Sequence, residues 1–481
     1  MQGLAMSIRA IQALRLGALA LAASVFLGGC ATFSKDGGFN SVSSVAKERL
    51  GKDVAWVRSE EDQDSVYKRS QELLAQPLTM DGAVQLALLN NRGLQATYAE
   101  LGISEADYVQ ASRLPNPGFT FSRKHAGSDL SIERTFTLAF FNVLTLPFIS
   151  QIEGKRYEQT KLLVANETVK VAAEARKAYV NAVAAQQFSL YAGQVNESAE
   201  AGAEFARRLA AAGNFSKLDL AREQAFYADT AGALARARRQ AISDREKLVR
   251  AIGLWGTGAN FTLPDRLPDL PKERPELGEL EGYAMQNRLD IQAGKLQTQS
   301  VASSLGLTKA TRFINVLDVG YLRNSLSNTP PETGYEISVQ IPLFDWGSAR
   351  VARAEAVYML AVNQLAQTAI NARSEVRESY ASYQTSYDIA RHYRDEVVPV
   401  RKAIVDEMML RYNGMLASVF ELLVETRAQV DGVNTYIGSL RDYWVAETDL
   451  QRSLGGALPV QADAAATPQI KQMTVPNGKG Q

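Results

Sequence analysis

The chain has 481 residues with 52 basic and 52 acidic side chains, so it is formally neutral and offers no electrostatic footprint for nucleic acid. One cysteine and two histidines exclude an internal disulfide framework and argue against a zinc or copper cluster. No nucleophile, base and acid constellation and no phosphate-cradling glycine loop stands out, so the chain does not read as an enzyme and calls for no cofactor.

The first residues read as a targeting segment. Arg9 and Arg15 precede an apolar run from Leu16 to Leu27 that is too short to span a bilayer, which marks residues 1–29 as a signal peptide. A start at Met6 would change nothing downstream. The run ends in Leu27-Gly28-Gly29-Cys30, which resembles a bacterial lipobox. Cys30 would then carry a covalent lipid and become the first mature residue, and Ala31 replaces the aspartate that signals inner-membrane retention in such proteins. Residues 30–77 are polar and weakly periodic, the pattern of a lipid-anchored tether with one short helix around Asp64 to Leu74. Thr79 is placed to cap a helix from about Met80 to Ser112.

Leu114-Pro115-Asn116-Pro117-Gly118 stops that helix, and alternation begins at once. Phe119 and Phe121, then Ile132, Phe136, Leu138 and Phe140, share one face. Glu133, Thr135, Thr137 and Ala139 take the other, with a connection around His125 to Asp129. After Thr145-Leu146-Pro147 a helical pattern holds to about Ala212. Gly213 to Phe215 form a tip, and a helix capped by Ser216 returns to about Ile252. Trp255 to Pro275 is proline-rich and separates two halves, 78–254 and 277–456, through a linker at 255–276.

The second half repeats the order. A helix from Leu277 to Lys309 leads to alternation at Leu317, Val319 and Tyr321, then Tyr335, Ile337, Val339 and Ile341, with Ser338 and Gln340 on the opposite face. A long helix follows Gly347. Its seam, spaced by threes and fours, runs through Val362, Leu365, Ala369, Ala372, Val376, Tyr380, Tyr383, Tyr387, Ala390, Tyr393, Val397, Val400, Ile404 and Met408. Roughly 65 residues at about 1.5 Å each give nearly 100 Å. Pro399 is expected to bend this helix. Gly414 suits a left-handed stop at a second tip, Asn413 to Ser418. Residues 457–481 read as a disordered tail.

The halves match residue by residue. Tyr179 lies 201 positions before Tyr380, and Gly213 lies 201 before Gly414, whereas Gly253 matches Gly455 with the register slipped by one. Asn90 matches Asn287 at 197. The fold class that follows is mainly α: a duplicated unit of helix, strand pair, long helix and returning helix. In each half the two shorter helices, end to end, match the long one, giving four columns per chain. Four strands leave open edges that lipid does not tolerate, so the strands are expected to close with copies of themselves. Three chains would give twelve strands and room for a pore. Phe136, Leu138, Val339 and Ile341 would then face lipid, and Thr137, Ser338 and Gln340 the lumen.

This order, present twice behind a lipobox, resembles the TolC family of outer-membrane efflux channels, in particular the lipoprotein branch that serves resistance-nodulation-division pumps. The residues that carry the resemblance are Ile341-Pro342-Leu343-Phe344-Asp345 with Gly347, and Arg411-Tyr412-Asn413-Gly414-Met415-Leu416 with Ser418 and Glu421-Leu422-Leu423. A weaker version is Ala212-Gly213-Asn214-Phe215-Ser216 with Leu218-Asp219-Leu220. The resemblance implies a homotrimer with a twelve-stranded membrane β-barrel in the outer membrane, standing on a long α-helical barrel in the periplasm. It implies two partners, a periplasmic adaptor protein and an inner-membrane pump, besides outer-membrane lipid. The tips at Gly213, Ser216, Gly414, Met415, Leu416 and Ser418 would meet the adaptor. Glu421, with Glu425 and Asp219, would line the pore constriction, although Val424 occupies the position of a second acidic ring. The function implied is a passive duct for small molecules. Type I protein secretion and a purely structural periplasmic coiled-coil lipoprotein are the alternatives.

Overall fold

The structure, a computed structural model, describes residues 32–256, 260–273, 277–314, 316–327, 329–456 and 458. The signal segment, Cys30 and the tail apart from Leu458 lie outside them. The stretch expected to be a tether holds two helices, α1 (Phe39–Leu50) and α2 (Glu60–Leu74). Val42 and Ala46, one turn apart on α1, are fully buried. Arg49 donates to the carbonyls of Asn287 at 2.7 Å and Gly455 at 2.9 Å. The segment is therefore packed on the body, which its polar composition concealed.

The helix expected over Met80 to Ser112 is two helices, α3 (Met80–Asn90) and α4 (Arg92–Ala111), parted at Asn91, where ψ is 114°. The Asn91 side chain accepts from the Leu94 amide at 3.1 Å and starts a new helix. The strands follow as β1 (Gly118–Ala126) and β2 (Asp129–Ala139). Helix α5 (Phe140–Ala211) starts straight from β2, so Phe140 is its first residue and not a strand residue, and Pro147 lies inside it. Its 72 residues span about 110 Å. Helix α6 (Lys217–Ile252) returns along it.

The second half is built alike: α7 (Leu280–Asn287) and α8 (Leu289–Ala310) part at Arg288, where ψ is 125°. Strands β3 (Leu317–Leu326) and β4 (Glu332–Val339) come next. Gln340 and Ile341 lie past the end of β4, outside the strand to which alternation assigned them. Helix α9 (Ser348–His392), a π-helical turn at Tyr393–Val397 and α10 (Val398–Asn413) form one continuous column. Helix α11 (Val419–Ser453) returns along it. The expected seam is buried or half-buried from Val362 to Met408 except at Val400, which is exposed. A π turn stands just ahead of Pro399.

The strands make one antiparallel sheet in the order β1-β2-β3-β4, joining the halves through β2 and β3. The register aligns Phe119, Phe136, Tyr321 and Tyr335 in one row, and Leu138, Val319 and Ile337 in the next. Thr137, Gly320 and Glu336 fall on the opposite face. That face also carries Asp129, Glu133, Asp318 and Glu332, so every acidic residue of the four strands lies there.

The main core lies where the short helices wrap the long ones. Leu86 and Leu88 of α3, Val164 to Val183 of α5, Leu248 and Ile252 of α6 and Leu450 of α11 join there, and Phe261, Leu263, Leu267 and Leu270 of the linker complete it. The linker carbonyls accept hydrogen bonds from both halves: Arg245 Nη2 to Phe261 at 2.6 Å, Trp444 Nε1 to Pro268 at 3.1 Å, Tyr387 Oη to Lys272 at 3.0 Å and Arg394 Nη1 to Leu270 at 3.1 Å. Tyr383 and Tyr387 pack on Tyr443, with ring centroids 5.7 and 5.8 Å away, as core residues.

Candidate functional site: the helical tips

The two tips sit side by side at the far end from the sheet, with the rings of Phe215 and Phe420 5.6 Å apart. Each tip begins with the same stop. At the end of α5, Gly213 has φ +79°, its amide donates to Ala210 at 3.1 Å, and the Asn214 amide reaches back to Leu209 at 2.9 Å. At the end of α10 the left-handed residue is Met415, with φ +58°, while its amide donates to Tyr412 at 3.0 Å and the Leu416 amide to Arg411 at 2.8 Å. Both are Schellman stops. The expected left-handed glycine, Gly414, has φ −81° and stands one residue too early.

The structural equivalents at the tips are therefore Gly213 with Met415, Ser216 with Ser418 and Asp219 with Glu421, all 202 positions apart. Upstream, Tyr179 and Tyr380 are 201 apart. The extra residue enters between them on the second column. A π-helical turn is what a one-residue insertion into an α-helix produces, and Tyr393–Val397 is that turn.

Each returning helix is capped by its serine. Ser216 accepts from the Asp219 amide at 3.1 Å and donates to its carboxylate at 2.6 Å. Ser418 and Glu421 form a full capping box: the Glu421 amide donates to Ser418 Oγ at 3.3 Å, and Glu421 Oε2 accepts from the Ser418 amide at 2.7 Å. These bonds hold the exposed Glu421 carboxyl below the usual carboxylate range. The other two acidic residues expected at the constriction are paired within the chain, Glu425 with Arg401 at 3.6 Å and Asp219 with Arg222 at 3.3 Å. Beyond the caps the tip is apolar and bare: Met415 is 94% exposed and Leu416 82%. A Cβ on Gly414 would meet nothing nearer than the Leu410 carbonyl at 3.4 Å, and one on Gly213 nothing within 4 Å. Lack of space for a side chain is therefore not what selects glycine at either tip.

One pair above the tips escaped the sequence reading. Glu223 of α6 is 3% exposed and faces Arg427 of α11 at 3.8 Å. Burial pushes the Glu223 carboxyl up, and Arg427 partly offsets this. The guanidinium lies over the Phe226 ring at 4.1 Å. The partners are 204 residues apart, and no local pattern links them.

Residues 282–456 match the family described as outer membrane efflux protein. Over 406 residues the chain is 24% identical to the cobalt-zinc-cadmium resistance protein CzcC of Cupriavidus metallidurans, covering 79% of this chain and 91% of that protein. The fold superposes on the CmeC outer membrane channel of Campylobacter jejuni with a TM-score of 0.70 and 16% identity, over 80% of this chain and 87% of that one. CusC, a transmembrane channel, matches with a TM-score of 0.66 and 17% identity, over 79% and 92%.

Proposed function

We propose that the chain is a member of the outer membrane efflux protein family, whose pattern residues 282–456 match, and that it is the outer-membrane channel of a tripartite efflux system, a passive duct fed by a pump and an adaptor. The observation that carries this reading is the division of the molecule into two ends. One end bears a sheet with an apolar, aromatic face and an acidic face. The other bears bare apolar tips about a long helix away. A sheet with one lipid-compatible face needs closure by copies of itself, which supports a homotrimer. Exposed apolar residues on α9 and α10, among them Val357, Leu360, Ile370, Ile389 and Leu410, are unpartnered in one chain and fit subunit packing. Met415 and Leu416 supply the adaptor contact. Glu421 lines the narrow end, with Asp219 and Glu425 behind it. Cys30 carries lipid and adds a second anchor. The acidic face, turned to the lumen, favours cationic cargo, and the likeness to a cobalt-zinc-cadmium resistance protein makes divalent metal ions the first class to test, with a resistance-nodulation-division pump as the driving partner.

The test is twofold. Purified full-length protein should run as a trimer and conduct ions in a planar bilayer with preference for cations. A strain lacking the gene should regain metal tolerance when the chain is supplied with its pump and adaptor. A monomer without conductance would remove the channel and leave a structural lipoprotein.

A further inference from the structure

The four strands segregate charge by sign. All their acidic residues lie on one face, and the three arginines, Arg123, Arg134 and Arg323, lie on the other, with His125 beyond them. The arginine-bearing face is the one that carries Phe119, Phe136, Tyr321 and Tyr335. Its apolar stretch runs from Val339 through Ile337 and Leu138 to that aromatic row, and the exposed Phe344 and Trp346 follow β4 in the chain. An aromatic row at the upper level of an apolar band is the mark of an interface of a membrane barrel.

The arginines stand just past the upper level. Arg134 and Arg323 are directly opposite each other in the row Phe121, Arg134, Arg323, Thr333, two residues and so about 7 Å along the strand from the aromatic row. Arg123 is two residues further along β1 than Phe121, diagonal to Arg134. None of the three guanidiniums makes an ion pair or hydrogen bond among the described residues. The cation on the other face, Lys124, is paired with Glu133 at 3.0 Å. Like charges placed opposite one another on a sheet repel, and this face has no acidic residue to relieve them. The hairpin turns point away from the helices, so the row lies on the far side of the membrane from the tips.

We propose that Arg123, Arg134 and Arg323 form a binding patch for the phosphate-bearing headgroup of an outer-leaflet lipid. The inference rests on the barrel reading, which puts this face toward lipid. Guanidinium groups suit the occupant because their forked donors match phosphate oxygens in pairs. An apolar band immediately below them accepts the acyl chains of the same molecule, which a soluble anionic partner would leave unfilled.

The test uses full-length protein in neutral detergent, titrated with a bis-phosphorylated lipid A and, separately, with its dephosphorylated form, and read by native mass spectrometry of the assembled protein. Binding of the phosphorylated form alone is expected. Arg134→Gln with Arg323→Gln should weaken it at least about tenfold. Lys124→Gln, which removes a cation from the opposite face, should leave it unchanged. Arg123→Gln, at an exposed position, should give a smaller loss in the same direction and keeps the test open if the double variant assembles poorly. Equal binding of the two lipids, or an equal loss in Lys124→Gln, overturns the proposal. A Phe136→Trp variant reconstituted with brominated lipid separates the two readings. Quenched fluorescence upholds the lipid-facing sheet whatever the arginines do, and unquenched fluorescence brings down both.

Discussion

Gly253 stands against the carbonyl of Asn90: with φ +72°, a Cβ placed on it would lie 2.6 Å from that oxygen. The second half repeats the relationship. Gly455 has φ +94°, and its Cβ would lie 3.2 Å from the carbonyl of Asn287. Each returning helix is thus stopped against the break between the two short helices of its own half. The Asn91 side chain completes the first joint by donating to the Ala251 carbonyl at 3.1 Å.

Substitution at this joint should be costly. Gly253→Ala adds a left-handed penalty of about 1–2 kcal/mol to a clash with backbone that has no side chain to swing away. Gly213→Ala bears the first term alone, because its Cβ would meet open space. Thermal melting followed by circular dichroism should place the first variant well below the second. Equal melting temperatures would show that the joint gives way freely.

At the second tip the strained residue is Met415, not its neighbouring glycine. Met415→Gly should stabilise the protein by roughly 1 kcal/mol, and Gly414→Ala should be close to neutral. If Met415 and Leu416 contact the adaptor, Met415→Asp with Leu416→Asp should abolish resistance while the trimer still forms. Resistance retained in that double variant would move the docking site elsewhere.

The two faces of the sheet give a paired comparison. Leu138→Arg puts a charge in the row with Val319 and Ile337, at a cost of about 2–4 kcal/mol at mid-bilayer depth. Thr137→Arg puts the same charge beside Gly320 and Glu336, where space and an anion receive it. In the proposed barrel, the yield of trimer should fall in the first and hold in the second. Equal yields would contradict the assignment of the faces.

The capping box should make the tip sensitive to acid. The Glu421 carboxyl is held low by its bonds to Ser418, so the cap is intact above the unfolded value of about 4.3. It is lost as pH falls through the lower folded value. Amide exchange at Ser418 and in the first turn of α11, corrected for intrinsic pH dependence, should quicken in that window. In Ser418→Ala exchange should already be fast at neutral pH. A profile flat through the acid range in the unsubstituted protein would mean that the carboxylate is not what orders the turn.

Elements with a local signature were legible in the sequence. Strands announce themselves by period two, and long helices by seams such as Ala372, Val376, Tyr383 and Tyr387, all buried. The duplication was visible because both copies retain Tyr, Gly and Ser at matching points. What stayed hidden lacks a local mark. The breaks at Asn91 and Arg288 carry no proline or glycine. Helix α1 buries only Val42 and Ala46, too short a stripe to read as amphipathic. Gly414 drew the left-handed assignment because glycine tolerates that conformation best, yet the inserted residue upstream hands it to Met415. The three strand arginines have no local mark, because pairing across strands appears only once register is known.

The linker has a mechanical consequence. Its carbonyls are gripped by Arg245 of α6, Tyr387 of α9, Trp444 of α11 and Arg394 of the π turn, so it acts as a strap that fastens both halves at one height. The columns cannot splay there without breaking those bonds together. The strap's last grip, Arg394, lies within the π turn. The arm from Val398 to Asn413, 16 residues or about 24 Å, lies beyond the strap and is held by packing along α11 and by the pair of Arg401 with Glu425, so the last quarter of the column is the part that the strap does not fasten.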